Sequence, residues 1–227
     1  MKKAERWLEK TLHYRFQDLE LFRQALSHRS ATSRNYERLE FLGDAVLGFV
    51  ISENLYRLRP DATEGDLSKL RALLVRDESL AALALEIELG DHLILGSGEM
   101  KTGGHRRESI LADAVEAMLG AVFLDTGIGT CRTVIEHLFA DRLQSLPDIK
   151  ELRDPKTRLQ EWLQGRKMAL PAYDLVASSG QDHNQRFTVS CTVAERSAKT
   201  LGEASSLRKA EQKAARKMIR LLDENPG

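Results

Sequence analysis

The sequence predicts an all-α domain followed by a small α+β domain whose elements run α-β-β-β-α. Over the first two thirds of the chain, apolar residues recur at spacings of three and four, as on one face of a helix. The polar segment "PDIKELRDP" then carries two prolines and ends this pattern. Beyond it, segments of alternating apolar and polar residues lie between two helical segments, which indicates strands flanked by helices.

The first domain, which we place at residues 1–147, contains four long segments with helical periodicity. They are residues 36–57, 66–87, 109–125 and 129–146. Short polar segments such as "RPDATEGD" and "GSGEMKTGGHRRES" separate them, as expected of loops. Residues 148–153 form the predicted linker to the second domain.

The second domain, residues 154–224, begins with a short helix that has Asp154 placed as its N-cap and Pro155 at its first position. Three strands are predicted in "YDLVASSG", "QRFTVSCTV" and "AKTLGEA". A basic amphipathic helix, capped by Ser205 or Ser206, ends the domain.

Composition and charge restrict the class of protein. The two cysteines, Cys131 and Cys191, form neither a CxxC pair nor a disulfide framework, which favours a reducing, cytoplasmic setting. No run of about 18 apolar residues is present, so we expect no membrane partner. The formal net charge is zero, but residues 154–227 hold 13 Lys+Arg against 9 Asp+Glu, or +4, which leaves −4 for residues 1–153. This asymmetry favours metal chemistry in the first domain and polyanion binding in the second.

Three carboxylates follow one side of the helix predicted at 36–57. Glu37, Glu40 and Asp44 stand at positions i, i+3 and i+7 and fall within roughly 60° of each other on a helical wheel. The opposite side is the predicted core: Leu39, Leu42, Val46, Phe49 and Val50. The acidic stripe has two interpretations, a solvated or salt-bridged surface and a site for a divalent cation, because crowded carboxylates repel unless a cation compensates.

A second helical segment repeats this arrangement. Asp113 and Glu116, at i and i+3, project opposite its core residues and have small neighbours that permit a close approach. Glu64, in the loop "TEGD", is either a further acidic candidate or a charge that complements a helix dipole. If the two acidic helices pack together, their carboxylates suit metal-assisted hydrolysis of a phosphodiester. No Cys/His cluster indicates zinc, and no GK[ST] loop indicates nucleotide binding.

The segment "YERLEFLGDAVL" resembles the signature of bacterial ribonuclease III. Further segments match the same family in order: "ALSHRS", "EGDLSKLRALLV", "LGSGEMKTGGHRRESILADAVEAMLGAVFLD" and "DPKTRLQEWLQGR". The C-terminal α-β-β-β-α segment resembles the double-stranded-RNA-binding domain that follows the nuclease domain in this family. The resemblance covers nearly the whole chain and implies an all-α endonuclease domain followed by a small α+β RNA-binding domain.

The resemblance implies a Mg²⁺-dependent endonuclease, with Mn²⁺ as an alternative cation, that cuts double-stranded RNA to leave 5′-phosphates and two-nucleotide 3′ overhangs. It implies a cytoplasmic homodimer that processes ribosomal RNA precursors, messenger RNAs and small RNAs. By position, the implied metal ligands are Glu40, Asp44, Asp113 and Glu116. Among these, Asp44 and Glu116 are the most directly catalytic. Glu37 and Glu64 match supporting acidic positions, and Phe41 matches a dimer contact.

In the second domain, the resemblance implies that Gln160 and Gln164 lie near 2′-hydroxyls in one minor groove and that His183 reaches a second. Taken alone, each of these residues has the alternative interpretation of an ordinary surface position. Three basic residues of the last helix would meet phosphates: Arg208, Lys209 and Lys213. The segment "GEASSLRK" departs from the family pattern, because Ala204 replaces a glycine and Leu207 replaces a basic residue. We therefore expect weaker phosphate binding than in a relative with arginine at this position.

Two other functions fit parts of the sequence: a double-stranded-RNA-binding protein that does not cleave, and a purely structural helical domain. The acidic residues discriminate between them, because carboxylates that face RNA repel its phosphates unless a metal ion intervenes. All six acidic positions of the family pattern are filled, which favours the nuclease. The structural alternative leaves the appended RNA-binding segment unexplained.

Overall fold

The computed structural model describes residues 2–149, 154–180 and 185–224. The chain divides into two compact units, Met1–Leu146 and Pro147–Gly227. His183, for which the sequence predicts an RNA contact, lies outside the described residues. None of the described helices combines the length and the apolar character that crossing a membrane requires.

The first unit is built from α-helices joined by loops and two short 3₁₀ turns, which confirms the predicted all-α class. The helices are α1 (Lys2–Leu12), α2 (Leu19–Ala25), α3 (Glu37–Leu58), α4 (Glu64–Val75), α5 (Asp77–Glu86), α6 (Ser97–Lys101), α7 (Glu108–Leu138) and α8 (Ala140–Gln144). The two longest helices, α3 and α7, pack against each other, and α5 packs against α7 as well.

The predicted helices are divided differently in the structure. The segment 66–87 is interrupted at Arg76, whose extended backbone (φ −70°, ψ 154°) separates α4 from α5. The segments 109–125 and 129–146 meet in α7, which is kinked at Gly127 (φ 80°, ψ −177°). Glycine adopts this positive φ at no steric cost. The segment 129–146 is also interrupted at Phe139, between α7 and α8. Hydrophobic periodicity reports which side of a segment is apolar, so it does not locate a change in the backbone angles of one residue.

The buried side of helix α3 overlaps the predicted one but is shifted around the helix. The predicted core residues are buried except for Leu42, which is half-buried, and Phe49, which is 55% exposed. Leu47, which was not assigned to the core, is fully buried. The reason is that α7 packs against the side of α3 that carries Leu47 and Gly43, which shifts the buried arc away from Phe49.

Within residues 154–180 and 185–224, the second unit contains a three-stranded antiparallel sheet and two α-helices, which confirms the α-β-β-β-α prediction. Its elements are α9 (Pro155–Gln164), β1 (Ala172–Ser179), β2 (Arg186–Val193), β3 (Ala198–Ala204) and α10 (Leu207–Glu224). The strand order is β1-β2-β3. Both helices pack on one face of the sheet, where Leu163, Cys191 and Met218 belong to a single buried cluster.

Local capping explains where the two helices of this unit begin. The Asp154 carboxylate accepts a hydrogen bond from the backbone N–H two residues later (2.8 Å), and the Ser206 hydroxyl accepts one from the N–H three residues later (3.3 Å). A glycine also controls the packing of β3 against α10, since a Cβ at Gly202 of β3 would lie 2.1 Å from the carbonyl oxygen of Ala210 of α10. Glycine at position 202 therefore permits β3 and α10 to pack this closely.

Both cysteines are buried and form no disulfide, as the sequence predicts. Burial raises the pKa of the Cys131 thiol to about 12 and also raises the pKa of Cys191. The Cys131 thiol donates to the carbonyl oxygen of Leu119 at 3.4 Å, across the kink in α7. These thiols are therefore structural side chains of the two cores.

Candidate active site and RNA-binding surface

Two glycines set the distance between α3 and α7. A Cβ at Gly43 would lie 1.8 Å from the carbonyl oxygen of Glu116, and a Cβ at Gly120 would lie 2.1 Å from that of Leu39. No side chain fits at these distances, so the two helices touch through their backbones. The small residues near Asp113 and Glu116 predict a close approach by another element, and the structure identifies α3 as that element. The acidic turns of the two helices consequently lie side by side.

The predicted metal ligands form one electrostatically coupled group. The pKa of Glu116 is raised to about 8, first by burial and then by the negative charges of the other three predicted ligands. The pKa of Glu40 is raised to about 7, first by burial and then chiefly by Asp113. Burial also raises the pKa of Asp113. Like charges therefore crowd together in a partly dry region, and the positive charge of Arg29 lowers the pKa of Asp113 without cancelling the rise.

Asp77 is an acidic neighbour of this group that the sequence does not predict. The Asp77 charge raises the pKa of both Asp113 and Glu116. Asp77 is the first residue of α5, where a carboxylate ordinarily complements the helix dipole. Only the packing of α5 against α7 brings Asp77 near the site, and no local pattern in the sequence signals that packing.

A cleft of about 780 Å³ opens beside three of the six predicted acids, Glu37, Glu40 and Asp113. Two arginines also line the cleft. Arg29 lies 3.5 Å from the carboxylate of Glu37, and Arg107 forms an ion pair with Glu99 at 2.6 Å. The cleft thus combines a carboxylate-lined region with cationic groups, which suits a phosphodiester that approaches together with a cation.

Glu64 is the predicted acid that the structure does not bring into this group. It begins α4, where its carboxylate accepts a hydrogen bond from the Ser68 hydroxyl at 2.8 Å. It is not among the main charges that raise the pKa values of the partly buried acids. Asp44 is exposed on α3 but is coupled to Glu116 through its charge.

Across residues 2–149, 154–180 and 185–224, no three His, Cys, Asp or Glu side chains are grouped as metal ligands would be. The donor set nevertheless fits a hard divalent cation, since it supplies carboxylate oxygens alone. The raised pKa values of Glu40 and Glu116 indicate negative charge that such a cation would neutralise. Ligation would require these side chains to rotate toward a common point between α3 and α7.

In the second unit, the described residues with predicted RNA contacts are all exposed. Gln160 and Gln164 stand four residues apart on one side of α9. The predicted phosphate contacts on α10 are the cations Arg208, Lys209 and Lys213. Of the two departures from the family pattern, Ala204 is buried in a cluster of apolar side chains, whereas Leu207 is 44% exposed. Leu207 is therefore the departure that changes the surface.

Comparison with known proteins identifies both units. Residues 18–143 match the family model described as ribonuclease-III-like, and residues 155–222 match the double-stranded RNA binding motif. A protein named Ribonuclease 3 from Alkalilimnicola ehrlichii is 52% identical over 217 residues, which is 96% of this chain and 95% of that protein. Another from Nitrosococcus oceani is 54% identical over 213 residues, which is 93% of this chain and 91% of that protein. The chain belongs to the ribonuclease III family.

A solved structure supports the same assignment for the first unit. The nuclease domain of ribonuclease III from Campylobacter jejuni has a TM-score of 0.60 and 42% identity, and the match covers 63% of this chain and 97% of that chain. A second structure of that domain, with a TM-score of 0.58 and 44% identity, covers 60% of this chain and 95% of that chain. It is described as having structural flexibility in a region involved in dimer formation. The enzyme is a double-stranded-RNA-specific endoribonuclease, as the resemblance implied.

Proposed function

We propose that this endoribonuclease uses Mg²⁺ held by Glu40, Asp44, Asp113 and Glu116, with Mn²⁺ as an alternative cation. The observation that carries the proposal is the coupled group of partly buried carboxyls on α3 and α7. When bound, a divalent cation supplies Lewis-acid stabilisation of the phosphodiester transition state and lowers the pKa of a water nucleophile. The four carboxylates would supply the oxygen ligands and the negative charge that a hard divalent cation requires.

Asp44 and Glu116 have the most direct catalytic roles in this proposal. Glu116 loses a proton on cation binding, because its raised pKa of about 8 favours the protonated carboxyl in the metal-free protein at neutral pH. Glu37 lies at the cleft, where the Asn35 side-chain amide donates to its carboxylate at 3.2 Å, and we assign it to RNA positioning. Glu64 is assigned the same supporting role from the family pattern alone.

The proposed products carry 5′-phosphates and two-nucleotide 3′ overhangs, with one strand cut by each subunit of a homodimer. An apolar stripe on α3 supports the dimer, since Phe41 is 80% exposed, Phe49 55% and Tyr56 73%. Exposed aromatic residues that share one helix side are typical of protein interfaces. Sedimentation of the native chain at micromolar concentration checks the dimer, and a monomer there would contradict it.

In the second unit we propose that Gln160 and Gln164 contact 2′-hydroxyls and that three cations at the start of α10 contact phosphates. These cations are Arg208, Lys209 and Lys213. We assign a second minor-groove contact to His183 from the family pattern. Ribosomal RNA precursors, messenger RNAs and small RNAs are the proposed substrates, in the cytoplasm. Accumulation of unprocessed precursors in cells that lack the enzyme is the expected result, and normal precursor levels would contradict this part.

The central experiment incubates a long RNA duplex with the native chain in Mg²⁺ or in EDTA and then analyses the fragment ends. We expect cleavage only with Mg²⁺. The Glu116→Gln variant should lose cleavage and retain duplex binding, because it removes a charge that the cation requires and leaves the RNA-binding unit unchanged. Glu108→Gln is the matched control, since it makes the same change at an exposed position of the same helix and should cleave normally.

The results separate the parts of the proposal. Substantial Mg²⁺-supported cleavage by Glu116→Gln would contradict the role of Glu116. Cleavage by the native chain in EDTA would contradict the requirement for a cation. A melting curve for each variant verifies that loss of activity does not reflect loss of the fold.

A further inference from the structure

Four cationic side chains form a ridge along the outer side of α10. They are Lys209, Lys213, Arg216 and Arg220. Their positions i, i+4, i+7 and i+11 fall within roughly 60° on a helical wheel and span about 16 Å of the helix axis. All four are exposed, and the buried side chains of α10, such as Ala214 and Met218, lie on the opposite side against the sheet. The ridge therefore faces solvent along most of the helix.

The acids of α10 leave most of this ridge uncompensated. Glu211 turns toward α9, where its carboxylate accepts a hydrogen bond from the Lys156 ammonium at 2.7 Å. Asp223 and Glu224 follow Arg220 and so lie at the C-terminal end of the ridge. Within the described ranges 2–149, 154–180 and 185–224, no carboxylate forms an ion pair with a ridge side chain.

The ridge carries an electrostatic cost in the free protein. Like charges three or four positions apart on a helix destabilise it, and each ridge residue has such a neighbour. A polyanion placed along the ridge would replace this repulsion with attraction. Because residues 155–222 match a double-stranded RNA binding motif, the phosphates of RNA are the polyanion that this unit meets.

We propose that Arg216 and Arg220 extend the phosphate-binding surface of α10 beyond Lys209 and Lys213, so that the RNA backbone is contacted along most of the helix. This inference rests on the proposed function, which assigns RNA contacts only to the first turns of α10. Contacts to phosphates carry no sequence information, so the ridge raises affinity without adding base preference. The ridge also compensates for the positive charge that is missing at the start of the helix, where Leu207 replaces a basic residue.

The test measures duplex binding by the full-length chain over a range of salt concentrations, in EDTA so that cleavage does not intervene. The variants are Arg216→Gln, Arg220→Gln and the double variant. Each lost phosphate contact lowers the slope of log K against log [salt] by about one and weakens binding roughly fivefold near 0.15 M salt. The double variant should therefore lose about two from the slope, with Arg216 contributing at least as much as Arg220, which lies nearer to the terminal acids.

Lys199→Gln is the matched control. Thr200 faces α10, since its hydroxyl donates to the carbonyl of Ala214 at 2.8 Å, so Lys199 projects from the other face of the sheet. The Lys199→Gln variant removes one positive charge from the same unit, and we expect it to leave the slope of log K against log [salt] unchanged. A slope for the double variant equal to that of the native chain would overturn the inference.

A second readout distinguishes RNA contact from a structural role of Arg216. Because Arg216→Gln removes repulsion with Lys213 and Arg220, the melting temperature of the RNA-free variant should equal or exceed that of the native chain. A structural role predicts the reverse, a lower melting temperature together with weaker binding, and that outcome would overturn the inference. If the native chain itself binds duplex RNA without salt dependence, the proposed function of α10 fails instead.

Discussion

The two units hold their functional charges in opposite ways. In the first, Glu40 and Glu116 are partly buried between two helices, and burial together with mutual repulsion raises their pKa values to about 7 and 8. In the second, the ridge cations of α10 stand in solvent on one side of a helix. The buried group depends on the spacing between α3 and α7, whereas the exposed group depends on how many charges are present. Catalysis should therefore be sensitive to single packing changes, and RNA affinity should change in small, additive steps.

The largest expected effect comes from the spacing between the helices. Gly43→Ala adds a methyl group 1.8 Å from the carbonyl oxygen of Glu116, so α3 and α7 must separate. We expect the free energy of unfolding to fall by about 3 kcal/mol and cleavage to be lost. Urea unfolding and cleavage of an RNA duplex measure the two effects.

Gly129→Ala is the control for this change, because it is an exposed glycine of α7 with nothing within 4 Å of the added methyl group. Alanine at such a position should be neutral or stabilise the helix by up to about 1 kcal/mol. If Gly43→Ala unfolds at the same urea concentration as the native chain, the backbone contact does not set the helix spacing.

A smaller effect is expected in the pH dependence of stability without a metal ion. The raised pKa values of Glu40 and Glu116 stabilise the folded state below their ordinary value of 4.5, and this stabilisation is lost as the pH rises through about 7 and 8. A shift of one pKa unit corresponds to about 1.4 kcal/mol of free energy. Solvent screening at these partly exposed groups reduces the summed contribution, so we expect the free energy of unfolding to fall by about 2 kcal/mol.

Urea unfolding in EDTA between about pH 5 and pH 8.5 measures this fall. Glu116→Gln should flatten the profile, because the variant carries no group that ionises at position 116. Added Mg²⁺ should also reduce the fall by offsetting the charge. A Glu116→Gln profile as steep as that of the native chain would disprove the electrostatic coupling.

The smallest effect belongs to the exposed surface. Leu207→Arg adds a cation at a position that is 44% exposed, so the salt slope of duplex binding should become steeper by about one, with a roughly fivefold gain in affinity near 0.15 M salt. Leu201→Arg is the control, because Leu201 is similarly exposed but projects from the sheet face that carries Lys199. Equal slopes for the native chain and Leu207→Arg would remove the idea that this position limits phosphate binding.

Local patterns in the sequence predicted most of the fold, because a helix of 3.6 residues per turn and a strand of period two leave their spacing in the order of apolar residues. The same spacing predicted that Asp113 and Glu116 share one side of a helix. It did not reveal Asp77, the exposure of Phe49 or the break at Arg76, since each depends on how distant segments pack.

The coupling among the acids also lay beyond local patterns. The wheel placed Glu40 and Asp44 on one helix side, but only the contact between Gly43 and Gly120 brings that side against the second acidic helix. The site assignments themselves remain predictions. The supporting role of Glu64 rests on the family pattern alone, because Glu64 is not among the main charges that raise the pKa values of the partly buried acids.

The two sealed thiols make the chain convenient for labelling chemistry. Because Cys131 and Cys191 are inaccessible and their thiols resist ionisation, a maleimide should react selectively with a cysteine introduced at the surface. Exposed serines are present in both units, including Ser33 and Ser179. A dye at each position would report the distance between nuclease and RNA-binding units while a duplex is bound, cut and released, with no native cysteine to remove first.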